Sequence, residues 1–370
     1  MSTPAQRSGR DSGGAKRRLN VALQGGGAHG AFTWGVLDEL LADDRIEIEA
    51  ISGTSAGAMN AVVLAEGLVE GGTERAREQL EEFWQAVSRQ ANRNPLRNTP
   101  FDSWAQGWGA YTNQMMVMFD VAAPMMSPYQ TNPFNYNPLR DLLLAEVDFD
   151  KVRGCSNHVR LFIAATNVET GQAKVFTGDD VTVDAVMASA CLPALFQAVR
   201  IDGVPYWDGG YAGNPPIEPF ITSCSSPDVL LVQINPVHRA SAPTTARDIL
   251  DRVNEISFNA PLLQELRHVE FVNRCIRRGE LDPDKYREVF LHRVGGGPEF
   301  EALSASSKMN ADWQFLTRLR DQGRAAMRAW LSANIEAIGV RSTLDMAPFR
   351  AADLPGGFMT DQRQGARVRS

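Results

Sequence analysis

Leu19-Asn20-Val21-Ala22-Leu23-Gln24-Gly25-Gly26-Gly27-Ala28-His29-Gly30 is the stretch that sets the fold. Its first five residues, with β-branched Val21, read as a buried strand that stops abruptly at three glycines. After Gly30 the apolar residues Phe32, Val36, Leu37, Leu40 and Leu41 fall at helical spacing and define one buried face. The pattern then recurs: Ile46, Ile48 and Ile51 form a second β-branched run, Gly53-Thr54-Ser55-Ala56-Gly57 a tight turn, and residues 58–66 a helix rich in small side chains. A βαβα opening of this kind predicts a parallel sheet.

Outward from that opening, residues 74–88 read as an amphipathic helix with Leu80, Phe83, Trp84 and Val87 on one side. Residues 91–138 change character: six prolines alternate with Trp104, Trp108, Met115, Met116, Met118, Met125 and Met126. An irregular insertion of that length reads either as a lid or binding segment or as a cap filling its own small core. Residues 139–147 and 183–190 are expected as helices, and 159–167 and 173–177 as paired strands. Asp202-Gly203 joins strands 199–202 and 204–207 into a hairpin that delivers Asp208-Gly209-Gly210. Residues 229–234 read as the last strand, with the sheet complete near residue 236 and a helical, Arg-rich pattern from 246 onward. The expectation is an α/β fold: a mostly parallel central sheet flanked by helices, with the irregular insertion and a helical C-terminal extension. Its parts are a basic mobile tail (1–18), a main domain (19–222), a final strand with packed helices (223–350) and a second mobile tail (351–370).

The chain has 370 residues, 44% of them hydrophobic and 22% charged, which excludes a collagen-like or wholly disordered protein. Net charge is −7, and the first eighteen residues carry five basic side chains against Asp11, leaving about −11 on the rest. A nucleic-acid partner is therefore not expected, although the basic N-terminus suits a peripheral contact with anionic lipid. No run is apolar enough to span a bilayer and no secretory signal precedes residue 18, so a cytoplasmic location is expected. Cys155, Cys191, Cys224 and Cys275 are far apart and lack metal-ligand spacing, hence read as reduced structural thiols. No metal site, calcium loop or cofactor is expected.

Three segments carry the chemistry: the Gly25–Gly30 loop, the Ser55 turn and Asp208-Gly209-Gly210, each at a predicted strand end, where a parallel sheet gathers its site. Gly25, Gly27 and Gly30 alone satisfy a dinucleotide fingerprint, with Glu47 and Glu49 some twenty residues on, so a nucleotide-binding protein is an alternative. That alternative leaves the Ser55 turn without a purpose. Gly53 and Gly57 free the sharp turn that a nucleophilic serine needs, and the helix beginning at Ala56 aims its positive end toward Ser55. The same pentapeptide also occurs as an accidental small-residue turn. A base must take the serine proton. Asp208 followed by His238, His268 or His292 has the chain order of a Ser-Asp-His triad, but that triad sits after more strands than precede Ser55. Asp208 itself, on a glycine-flanked corner where burial can raise its pKa, is the better base; a plain β-turn Asp is the bland reading.

Together, in this order and spacing, the three segments resemble the patatin-like phospholipases, serine acyl hydrolases with a Ser-Asp dyad; the likeness covers about residues 19–222 and looks bacterial. The resemblance implies a three-layer α/β/α fold with Ser55 as nucleophile and Asp208 as general base. It also implies the amides of Gly25, Gly26 and Gly27 as oxyanion hole, with Gly30, Gly53, Gly57, Gly209 and Gly210 supporting the motifs. Lipid esters are the implied substrates, and acyl transfer or thioester hydrolysis by the same dyad is the alternative. Ala188-Ser189-Ala190 before Pro193, Asn137-Pro138-Leu139 and Asp148-Phe149-Asp150 are lesser matches, read as structural. His29 departs from the family's frequent Arg or Lys, so a permanent positive charge beside the glycine loop is missing from the motif.

Overall fold

The computed structural model describes residues 16–93, 127–239, 242–282, 285–301, 303 and 305–349. Eight strands form one mixed sheet in the order β5-β6-β3-β2-β1-β7-β8, with β4 also on β3. They are β1 (Arg17–Leu23), β2 (Ile46–Gly53), β3 (Arg160–Asn167), β4 (Ala173–Phe176), β5 (Val199–Ile201), β6 (Val204–Asp208), β7 (Asp228–Gln233) and β8 (Phe290–Gly295). The run β3-β2-β1-β7-β8 is parallel, and β4, β5 and β6 join it by antiparallel pairing. Central strands β1 and β7 are buried along nearly their whole length, as strands covered on both faces must be.

Helices cover both faces: α1 (Gly30–Leu41), α2 (Ala56–Arg93), α3 (Val183–Ser189), α4 (Ala246–Arg277) and α5 (Trp313–Asn334), with the helix Pro138–Glu146 and shorter helical turns between them. α2 is two helical arms joined at Gly71-Gly72, which agrees with the two separate helices expected at 58–66 and 74–88. The chain reverses at Gly71 and Gly72, and Gly67 lies so close to the second arm that a Cβ there would fall 2.4 Å from Ala76 Cα.

Two expectations are corrected at the ends of the sheet. Arg17 and Arg18 are not tail but the start of β1, where Arg17 donates to the Ile338 carbonyl and pairs with Glu336. The sheet does not end near residue 236, because β8 adds a further parallel strand beyond a 32-residue helix. Of its apolar residues, Leu291 is buried on the face that Leu262, Leu266 and Val269 of α4 cover, and Val294 on the face that α5 covers, a short pattern hidden within an Arg-rich region.

The C-terminal helices are fastened to the first βα unit rather than appended. A Cβ on Gly35 of α1 would meet Arg320 O at 1.9 Å, and one on Gly323 of α5 would meet Phe32 O at 2.1 Å. Two facing glycines thus let the helix backbones touch, and buried Asp38 accepts from both Arg77 and Arg324 beside the crossing. The four cysteines are free and buried. Most of the proposed lid, residues 94–126, lies outside the described residues. Its end docks near the sheet, with Tyr129 Oη accepting from Ala198 N and Gln197 donating to Asn132 O. Among the described residues no helix is long and apolar enough to cross a membrane.

Candidate active site

Ser55 follows β2 directly and precedes α2, with φ +55°, a left-handed conformation that costs a non-glycine residue on the order of 1–3 kcal/mol. Its surroundings hold it there. Ser55 N donates to Ser189 Oγ at 2.9 Å, and Thr54 Oγ1 donates to Gly213 O at 2.7 Å. The glycines of the turn answer to close approach: a Cβ on Gly57 would sit 2.3 Å from Leu23 O, and one on Gly53 2.7 Å from Gly57 itself. The start of α2 leaves its positive dipole end at this hydroxyl.

Asp208 ends β6, opposite Ala165 of β3, and is 1% exposed. Its Oδ1 accepts from Gly210 N at 2.7 Å, while Oδ2 is buried with no hydrogen-bond partner. The Ser55 hydroxyl is near enough to help hold the carboxylate's pKa down, but it stops short of a hydrogen bond of ordinary length and angle. Burial dominates the electrostatics and pushes the Asp208 pKa up to about 7, against the opposing pull of the Gly210 amide, Ser55 and Lys308. Gly209 is forced by the same closeness: a Cβ would meet Ala164 O at 2.2 Å.

The glycine loop lies across the hydroxyl, since a Cβ on Gly25 would fall 2.7 Å from Ser55 Cβ. Its three amides are not equivalent. Gly25 N donates to Asn214 Oδ1 at 2.7 Å, so it is already committed. The amides of Gly26 and Gly27 have no protein acceptor among the described residues. Gly27 has φ +57°, and a Cβ there would fall 2.4 Å from Lys308 O. His29 is buried, with Nε2 2.7 Å from Ser307 Oγ, and burial together with Lys308 and Arg239 lowers its pKa to about 3. It is therefore uncharged at neutral pH.

The dinucleotide alternative loses its acidic anchor. Glu49 accepts from the amides of Ser225 and Ser226 and pairs with Arg160, away from the glycine loop. The three other histidines weighed as triad members are absent from the Asp208 surroundings, and His292 is spent on Asp228 and Thr343. Among the described residues no group of three His, Cys, Asp or Glu side chains could hold a metal ion. Asn214, Asn235 and Lys308, all of which touch the glycine loop or its supports, stand in none of the three motif segments. The two asparagines did carry a signal, since each precedes a proline just after a motif or a strand end.

Among curated proteins no sequence matches this chain. Solved structures that align with it include VipD from Legionella pneumophila, at 15% identity and TM-score 0.43, covering 90% of this chain and 72% of that one. The type III effector ExoU aligns at 15% identity and TM-score 0.36, covering 86% and 54%. ExoU in its complex with SpcU from Pseudomonas aeruginosa aligns at 16% identity and TM-score 0.36, covering 87% and 52%. The chain thus spans about half the length of ExoU. A family model described as patatin-like phospholipase matches residues 21–221, more than half of the chain and all three motif segments. The chain belongs to the patatin-like phospholipase family.

Proposed function

We propose that the protein is a serine acyl hydrolase that cleaves fatty-acyl ester bonds of lipids through a Ser55–Asp208 dyad. The observation that carries this reading is the buried Asp208 carboxylate, with one oxygen unpartnered and a pKa near 7, facing a serine in a left-handed turn. A base of that pKa is half ionised at neutral pH, where proton transfer works best.

Ser55 Oγ attacks the ester carbonyl while its proton passes to Asp208. The oxyanion so formed accepts from the Gly26 and Gly27 amides, which narrows the earlier three-glycine expectation by the one amide that Asn214 already holds. Collapse expels the alcohol, which takes the proton from Asp208 and leaves an acyl-enzyme. Water then attacks the acyl carbon, gives a proton to Asp208, and the returning proton restores the Ser55 hydroxyl as the fatty acid leaves. The base contributes about 10²- to 10⁴-fold and each oxyanion donor about 10²- to 10³-fold. No step calls on a metal or cofactor.

An acyl chain is drawn from an aggregate, and α4 offers a surface for it. Ile249, Leu250, Val253 and Ile256 form one face of α4 and are 44 to 58% exposed. Further along the same helix, Phe258 packs on Tyr211 and covers Gly210, at the edge of the Asp208 corner. An exposed apolar helix face of this kind suits peripheral contact with a lipid surface. The test is a panel of phospholipids, glycerides, acyl-CoA thioesters and short nitrophenyl esters, run beside Ser55→Ala and Asp208→Asn. Release of free fatty acid from lipid, lost in both variants, is expected. Turnover only with an added alcohol acceptor or only with thioesters would favour the transferase or thioesterase reading.

A further inference from the structure

Residues 305–309 form a short 3-10 turn that lies outside the family match, yet it sits directly on the glycine loop. The Lys308 carbonyl packs against Gly27, and Ser307 bonds the neutral His29. The Lys308 ammonium is directed inward: Nζ donates to Asn235 Oδ1 at 2.8 Å. Asn235 in turn donates from Nδ2 to Gly25 O at 2.7 Å, and its backbone N–H donates to Gln24 Oε1 at 2.9 Å. The Gly25 carbonyl belongs to the same peptide plane as the Gly26 N–H. A donor held on that oxygen fixes the plane and turns the N–H to its far side.

The geometry points to Lys308 as a positioning residue of the active site, acting through Asn235 on the Gly25–Gly26 peptide and replacing the fixed positive charge that His29 does not supply. This rests on the dyad reading above. The chain of groups is ammonium, Asn235 amide, Gly25–Gly26 peptide, then oxyanion. Each hydrogen bond in such a series polarises the next, so a cation at one end makes the amide at the other a better donor. The C-terminal region would then be part of the catalytic apparatus rather than an appendage.

The charges around the relay are accounted for on each side. Lys308 is drawn down by burial and by Arg239, and held up by Glu255, Asp251 and Asp208. Asp208 is faced by Lys308, Ser55 and the Gly210 amide, with Cys191 and Tyr211 as its titratable neighbours. Lys308 stabilises the Asp208 carboxylate, so removing it raises the pKa of the base, and the acid limb of activity moves to higher pH.

The experiment uses the full chain with a short soluble ester and compares wild type, Lys308→Met, Lys308→Arg and Asn235→Ala, beside Ser55→Ala and Asp208→Asn. Lys308→Met is expected to lower kcat about 10²-fold, the effect of weakening one oxyanion donor, with KM nearly unchanged. Its acid limb should move to higher pH. Lys308→Arg should return the limb toward wild type, and Asn235→Ala should lower kcat without moving the limb as far. Wild-type kcat and limb in Lys308→Met would overturn the proposal, as would a loss of rate matched by loss of folded protein with the limb unmoved. If Lys308→Met does not fold, full kcat in Asn235→Ala overturns it equally. Activity persisting in Ser55→Ala would instead overturn the dyad on which it rests.

Discussion

Among the described residues, the Ser55–Asp208 pair and the Thr343–His292–Asp228 cluster both combine a hydroxyl with a carboxylate, and they have opposite fates. At one end of the sheet Ser55 faces Asp208. In the other cluster Thr343 Oγ1 lies 3.0 Å from His292 Nδ1, and His292 Nε2 lies 3.0 Å from Asp228 Oδ1. By residue type the second is the more complete, with hydroxyl, imidazole and carboxylate in line. Its groups are satisfied: Asp228 Oδ1 also accepts from Gly339 N, and His292, fully buried, packs edge-on against Trp330. It clamps β7 and β8 to the segment after α5. The first has a strained serine, a carboxylate oxygen with nothing to bond and two uncommitted amides. Unspent hydrogen-bonding capacity, not the list of side chains, separates a reactive site from a structural clamp.

Exchanging the damage tests this contrast first. Ser55→Ala should abolish ester turnover, on the order of 10⁴-fold or more, with no loss of stability. His292→Ala should do the reverse. It takes the imidazole away from the buried Asp228 carboxylate and should cost about 3 kcal/mol in urea unfolding while kcat per folded molecule stays near wild type. A catalytic defect in His292→Ala beyond its folding defect would break the division between the two clusters.

Asp208→Asn sharpens the comparison through pH. The Asp208 pKa is about 7 in the fold against the usual 3.8, so the native state holds the proton more tightly and the carboxylate opposes folding as pH rises from about 4 through 7. The Asn variant, which never ionises, should gain on the order of 1–3 kcal/mol at pH 8, and the gain should vanish near pH 4. Thermal unfolding at both pH values reads it; an equal effect at each would remove burial as the cause. The smallest expected change comes from the rim of α4. Leu250→Asp with Ile256→Asp should slow hydrolysis of vesicle phospholipid about tenfold, the loss expected from taking two large apolar contacts off a lipid surface. A soluble short-chain ester should be cleaved at the normal rate, and parallel losses on both substrates would count against a lipid-facing role.

How far the chain could be read in advance follows the same physics. Backbone demands write themselves into sequence: three glycines after β1, the Gly53–Gly57 turn and Asp208-Gly209-Gly210 are each dictated by contacts that no side chain survives. The parallel core was legible because buried strands are apolar throughout. The supports were not, because Asn214, Asn235 and Lys308 reach the glycine loop from positions about 190 to 280 residues away and obey no period. Strand β8 escaped for a related reason, as its pattern of Leu291, His292 and Val294 includes a buried histidine that reads as polar until Asp228 is placed beside it. The division of labour among Gly25, Gly26 and Gly27 depends on the same unheralded Asn214.

The most direct measurement is the rate at which a fluorophosphonate labels the protein across pH 5 to 9, with the adduct mapped by mass spectrometry. The expected result is a single adduct on Ser55, none on Thr343, and a rate that rises with one deprotonation near pH 7 and collapses in Asp208→Asn. Labelling at another residue, or at Ser55 with a rate indifferent to Asp208, would contradict it.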